Sequence, residues 1–216
     1  MDFSNYKFRP SSLSSLMTGT RSKDGLSDTA KGLIQKCYIS QMFECRDFVQ
    51  TPPMTKGIMV ESDTLDLIKT VYGETYFKNK TKYENDFIKG TPDVVPAEDK
   101  IIDVKSSWTI FTFAAVDEKK ARDDYFWQLA GYAWMIGKTK GELIYGLVNT
   151  PQEIVEKEIM KSGGANPTEV IKNHTYDDID PKLRAKRFLF DFTPEDFKAI
   201  EEKVVLARTF MNTMSL

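Results

Sequence analysis

The chain has 216 residues with a formal charge of -2, and 41% of it is hydrophobic and 12% aromatic, enough apolar material for one core. The near-neutral balance argues against a protein that coats nucleic acid nonspecifically, which would carry a basic excess; it leaves room for an enzyme whose central carboxylates are offset by bound cations. A lone histidine, His174, removes mechanisms that need two and zinc sites that need several. Lying in a polar stretch, it reads as a surface residue. Cys37 and Cys45 are the only cysteines, too few for a disulfide framework, and read as buried or half-buried thiols in a helix-like segment. No stretch approaches the roughly 18 consecutive apolar residues of a membrane span, and Met1 to Lys7 holds no apolar signal core. A soluble, intracellular chain with no membrane partner is expected.

Residues 8–18 read as a short helix, with a serine cap ahead of Leu13, Leu16 and Met17 and with Gly19 as its stop. Leu26 to about Phe48 carries Ala30, Leu33, Ile34, Cys37, Tyr38, Met42 and Phe43 at three-four spacing, an amphipathic helix that Pro52 and Pro53 are expected to stop. A third periodic run, Thr55 to Tyr72, places Ile58, Val60, Leu65, Ile68 and Val71 on one side, and Gly73 ends it.

From Phe77 to Val104 the period becomes strand-like, with turn chemistry at Gly90-Thr91-Pro92 and around Pro96 to Asp99, so two or three paired strands are expected. Asp117 to Ile136 is helical; Leu143 to Val148 and Phe188 to Phe192 are short strands; Pro194 opens a last helix. Residues 161–186, with Gly163-Gly164, Asn166-Pro167 and Asp180-Pro181, suggest an irregular excursion. The order is α+β, helices flanking a small central sheet. It fits a single domain over 1–216: a core at about 55–150, N-terminal helices at 8–50, and a C-terminal strand and helix at 186–214. Tyr125, Phe126, Trp127 and Trp134 read as core aromatics.

The segment from Gly90 to Lys105 carries the chemistry. Pro92-Asp93 is followed, after nine intervening residues, by Asp103-Val104-Lys105. Side chains alternate along a strand, so Asp103 and Lys105 share a face while Ile102 and Val104 take the other. Antiparallel pairing can bring Asp93 beside Asp103, and two adjacent carboxylates make sense when a hard divalent cation lies between them. Lys105 could then orient or deprotonate a water and offset charge on phosphorus oxygens. The residues alone also fit a plain alternative, with Asp93 ending a turn and Lys105 pairing with a solvated Asp103.

Three elements together resemble the PD-(D/E)xK nuclease superfamily: the Asp93, Asp103 and Lys105 segment; Lys56 to Glu61, which resembles a Gly-x-x-x-Glu helix; and Phe126 to Tyr132, which resembles the Gln-x-x-x-Tyr element of RecB-type and phage lambda-type exonucleases. They stand in family order over about residues 55–135, and are most similar to the lambda-type, YqaJ-like branch. The resemblance implies a restriction-endonuclease-like core, a small central mixed β-sheet flanked by α-helices. It implies a magnesium-dependent exonuclease, with manganese as a substitute, acting 5′-to-3′ on linear double-stranded DNA in phage-type recombination or DNA processing. Asp93, Asp103, the Val104 carbonyl and Glu61 would hold the metal, with Lys105 catalytic beside them. Gln128 and Tyr132, four apart on one helix face, would contact phosphate, and Arg9, Ser12 and Thr91 would complete a pocket for a 5′ phosphate.

The second acid is aspartate where glutamate is commoner, and two cysteines cannot supply the four of the iron-sulfur relatives. DNA is the implied partner, with a single-strand annealing protein and a homo-oligomeric ring as further implications, in the cytoplasm of a bacterial or phage-infected host cell. An endonuclease or single-strand nuclease of the same fold, or an inert DNA-binding module, remains open on these residues.

Overall fold

The computed structural model describes every residue except Asp24, Phe48, Ala165 and Leu216. A 3-10 turn at Pro10–Ser12 leads into α1 (Leu13–Leu16), and α2 (Asp28–Met42) starts where the Ser27 side chain accepts from the Ala30 N–H. The helix is shorter than the apolar spacing suggests: it ends at Met42, the chain turns at Glu44 with φ 50°, and the expected end at Phe48 lies outside the described residues. Cys45 is therefore exposed beyond the helix, while Cys37 is half-buried and both are free.

Pro52 and Pro53 do not stop a helix; they open one. They occupy the first turn of α3 (Pro52–Met59), where a missing N–H costs nothing. The run expected to be continuous from Thr55 to Tyr72 is two helices, because Val60 leaves helical geometry at φ -107°, ψ 17°, and α4 (Glu61–Tyr72) begins after it. The break rotates the apolar faces out of phase: Val60 and Ile68 are buried, whereas Ile58 is 69% exposed. Gly73, at φ 73°, supplies the left-handed cap that ends α4.

A short hairpin, β1 (Tyr83–Glu84) with β2 (Lys89–Gly90), follows, its turn held by the Asn85 side chain, which accepts from the N–H groups of Phe87 and Ile88. Phe8 extends it by exchanging backbone bonds with Phe87 and Lys89. The main sheet has three strands in the order β3 (Ile101–Ser106), β4 (Lys140–Gly146), β5 (Ala185–Asp191), the first pair parallel and the second antiparallel. Strands β4 and β5 each begin three residues before the apolar runs that marked them, Leu143 to Val148 and Phe188 to Phe192. Between β3 and β4 the chain makes α5 (Ile110–Ala114) and α6 (Glu118–Ile136); α6 is capped by Asp117, which accepts from the Lys120 N–H, and ended by Gly137 at φ 78°. The excursion after β4 is less irregular than expected, containing α7 (Gln152–Lys161) and α8 (Pro167–Lys172). Pro194 opens α9 (Pro194–Thr213) behind a Thr193–Asp196 capping box.

Period-two alternation sorts the sheet residues onto two layers. Ile101 and Leu143 join Leu129 and Ala133 of α6, with α2 and α9 outside them, in the larger core. Ile102, Val104 and Ile144 pack with Val94 and with Ile68 of α4 in the smaller one. Each fully buried aliphatic side chain there contributes about 1.5–3 kcal/mol. The 3-10 turn is seated on α6 at Gly131, where a Cβ would meet Leu13 Cδ1 at 2.5 Å and Pro10 Cβ at 3.4 Å. Gly131→Val should therefore lower stability by about 1–3 kcal/mol, read as a fall in the urea midpoint with unchanged slope.

Candidate active site

Asp93 is placed by main chain. Val94 and Ile102 exchange hydrogen bonds at 3.1 and 3.0 Å, an antiparallel bridge that lays the loop along the free edge of β3. Asn79 fixes the other side, its N–H donating to the Asp93 carbonyl at 2.7 Å and its amide to the Pro92 carbonyl at 3.0 Å. Asp93 Oδ2 accepts from the Val104 N–H at 2.9 Å. A strand residue's N–H and carbonyl share one edge, so the Val104 carbonyl lies on the Asp93 side as well.

Asp103 stands one residue back, on the face covered by α6, and is 1% exposed. Its Oδ1 accepts from Gln128 Nε2 at 2.7 Å. Lys105 Nζ lies 2.6 Å from Oδ2 without the alignment of a hydrogen bond, so that contact is ionic. The Lys105 ammonium also sits 5.7 Å from the ring centroid of Tyr125. Burial pushes the Asp103 carboxyl up to about 6; Lys105 opposes this and the neighbouring Asp93 carboxylate adds to it. Burial alone would lower the Lys105 ammonium, but Asp103 and Asp93 outweigh it and hold it above the ordinary lysine value. The expectation of a shared strand face holds, but Asp103 is not solvated as the plain alternative requires.

Tyr132 is buried one helical turn past Gln128; burial, then the Asp103 and Asp93 carboxylates, drive its phenol upward, so it remains a hydrogen-bond donor. Lys105 and Arg9 act on it in the opposite sense, which places all four charges around one ring. Arg9 is exposed, one residue before Pro10, and Pro10 packs against Gly90: a Cβ on Gly90 would meet Pro10 Cδ at 3.0 Å and Tyr132 Cε1 at 3.1 Å. Glycine there lets the segment bearing Arg9 close onto the loop bearing Thr91, itself exposed. Ser12 is half-buried and its hydroxyl donates to the Arg9 carbonyl at 2.7 Å. Gln128 is engaged with Asp103 and does not face outward beside Tyr132.

Glu61 opens α4, where the positive end of the helix dipole favours a carboxylate. Lys78 pairs with its Oε2, and its Oε1 is buried without a hydrogen-bond partner. Among the described residues no group of three or more His, Cys, Asp or Glu side chains stands ready to hold a metal ion, so Glu61 is not gathered into one cluster with Asp93 and Asp103. The donors nonetheless fit a hard cation: two facing carboxylates, one of them buried, a main-chain carbonyl and an orphaned carboxylate oxygen. Surface cavities of about 370 and 420 Å³ are lined by none of these residues; both run along β5 beside Arg187, Leu189 and Phe190.

His174, expected at the surface, is 5% exposed. Its polar neighbours suggested solvent, but Thr150 Oγ1 lies 2.9 Å from its Nδ1 and Trp108 packs edge-on to the ring, which satisfies the imidazole inside. Asn79, Lys78 and the fully buried Lys56 were also missed. Asn79 left a weak local signal in its bond to the Thr81 N–H; nothing in spacing marks the other two.

No protein-family model matches the chain, and no curated protein does. Solved structures do. A phage-related exonuclease from Haemophilus somnus 129PT superposes with a TM-score of 0.80 at 25% identity, over 96% of this chain and 94% of that one. An alkaline exonuclease from Laribacter hongkongensis, LHK-Exo, shares the fold with a TM-score of 0.68 at 11% identity, over 97% of this chain and 89% of that one. The same enzyme in complex with dAMP gives 0.68 over 95% and 88%. No described helix is long and apolar enough to cross a membrane.

Because the folded carboxyl of Asp103 titrates above its unfolded value of 3.8, the unfolded chain holds fewer protons between those points. Stability is then lost as pH rises through that window and stays lost above it. Asp103→Asn should be more stable than wild type in metal-free buffer at pH 7.5, by about 1–3 kcal/mol; the gain should vanish near pH 4, as read from urea denaturation at both values. With the fold of a phage-related exonuclease and an acidic centre of Asp93, Asp103 and Lys105, the chain resembles the lambda-type, YqaJ-like branch of the PD-(D/E)xK nucleases.

Proposed function

We propose that the chain is a deoxyribonuclease that removes nucleotides from linear double-stranded DNA in the 5′-to-3′ direction, using magnesium, with manganese as a substitute. The observation that carries this is the buried meeting of Asp93 with Asp103, flanked by the Lys105 ammonium 2.6 Å from Asp103. An ion there would be held by Asp93, Asp103, the Val104 carbonyl and the free Oε1 of Glu61. When bound, magnesium supplies Lewis acidity and lowers the pKa of a water at the scissile phosphate.

Lys105 is placed to orient that water and to offset charge growing on the phosphoryl oxygens. Gln128 fixes the rotamer of Asp103 by holding Oδ1. The covering helix α6 excludes bulk solvent from one side, which strengthens each of these charges. At the rim, the exposed Arg9 with Ser12, Thr91 and the Tyr132 phenol is suited to a terminal 5′ phosphate. A mononucleotide such as the dAMP bound by the Laribacter enzyme is the product such a site would release. A ring-shaped homo-oligomer and a single-strand annealing partner, in recombination or DNA processing, belong to the same reading by resemblance.

Linear duplex with 5′-phosphate or 5′-hydroxyl ends, incubated with magnesium and followed by product sizing, tests activity and polarity together. Mononucleotides released from 5′ ends, with a closed circle left intact, are expected; nicking of the circle would make the protein an endonuclease. Binding without product under magnesium and manganese would make it an inert DNA-binding module. Asp103→Ala and Lys105→Ala should each lower the rate at least about a hundredfold with the fold retained by circular dichroism. Arg9→Ala should raise KM about tenfold for phosphorylated ends and leave hydroxyl ends unchanged.

A further inference from the structure

Lys56 lies outside the machinery described so far and has a peculiar setting. It is 0% exposed, and among the described residues no other lysine or arginine is buried. No carboxylate among them pairs with it: Nζ donates to the Trp108 carbonyl at 3.1 Å and sits 5.5 Å from the ring centroid of Tyr176, with the His174 imidazole as its other titratable neighbour. Burial pushes the amine down to about 7. A methionine of similar length would fill this space without desolvating an amine. What methionine cannot supply is the one directional contact.

That contact joins two parts of the site. The carbonyl of Lys56 accepts from the Val60 N–H at 3.0 Å, closing the last turn of α3, and Glu61 is the next residue. Trp108 stands two residues past the end of β3 and three beyond Lys105, and it is held in turn, its ring 4.6 Å by centroid from His174, whose Nδ1 lies 2.9 Å from Thr150 Oγ1. The anchor is therefore firm on both sides.

We infer that Lys56 is a positioning residue for the metal site, its hydrogen bond to the Trp108 carbonyl setting the separation between Glu61 and the strand that presents Asp103 and Lys105. The inference rests on the metal-dependent reading above. It is tested by calorimetric titration of manganese into wild type, Lys56→Met, Lys56→Gln and Asp103→Asn, beside thermal melting and the magnesium dependence of cleavage.

Lys56→Met should melt at or above the wild-type temperature at pH 7, bind manganese about tenfold more weakly, and need proportionally more magnesium for half-maximal rate, with kcat at saturating metal near wild type. Lys56→Gln, which keeps a donor without the charge, should regain most of the affinity; a merely structural role predicts neither the split nor the rescue. Manganese affinity in Lys56→Met equal to wild type would overturn the inference, as would a chain that folds with neither substitution, since lysine would then serve the core. Wild type that binds no more manganese than Asp103→Asn would sink the metal reading itself, and this inference with it.

Discussion

Two backbone hydrogen bonds, exchanged between Val94 and Ile102, hold the loop of Asp93 against the free edge of β3, and the geometry of the acidic centre follows from them. With that register set, the Asp93 carboxylate reaches the Val104 N–H and comes beside Asp103. A slip of one residue would turn Asp103 and Lys105 onto the face of α4 and send Ile102 and Val104 under α6. The register is protected twice over. Ile102 and Val104 are locked among Val94, Ile144 and Ile68, and Asn79 fastens the loop from outside. Apolar packing thus holds a polar arrangement that would not hold itself.

That arrangement works against folding. Asp103 is buried, faces a second carboxylate and is held off its ordinary titration range, and the nearby lysine only partly compensates. Glu61 keeps one oxygen buried and unpartnered at a second point nearby in sequence to the buried Lys56. A core selected for stability alone would replace such groups with hydrocarbon, as it has at Leu143 and Ile144 on the adjacent strand. Asp103 and Glu61 differ in this from the buried Glu142 of the same sheet, which is paired with both Lys100 and Arg187, and incompletely paired buried acids are what candidate functional positions look like.

How much of this could be read from residues alone depends on how local the cause is. Helix α6 was legible over its whole length, from Asp117 to Ile136, because a cap and a helical period each act only on their own few neighbours in sequence. The pairing of Asp93 with Asp103 was legible because a turn and a strand separated by nine residues leave few registers to choose from. Pro52-Pro53 misled because proline has opposite meanings at the first turn and in the interior of a helix, and only the cap geometry distinguishes them. Val60 misled because a break of one residue leaves the apolar composition untouched while rotating the face. His174 and Lys56 were beyond reach for a stronger reason: each is buried by segments more than twenty residues away in sequence, Thr150 in one case and Trp108 in the other.

The placement of Gln128 follows from topology more than from the sequence around it. Strands β3 and β4 are parallel, so the chain must cross from the end of one to the start of the other, and the crossing element has to lie over one face of the sheet. Helix α6 is that element, and the face it covers carries Asp103 and Lys105. Any residue of α6 directed at β3 between Leu129 and Tyr125 therefore meets a buried carboxylate, and an apolar side chain there would leave Oδ1 of Asp103 unpaired in a dry interface. An amide resolves this without adding charge: Nε2 donates to Asp103, and a lysine in its place would compete with Lys105 for the same carboxylate. The glutamine is thus a consequence of parallel pairing as much as of chemistry, and the same crossover that completes the sheet orients the Asp103 carboxylate.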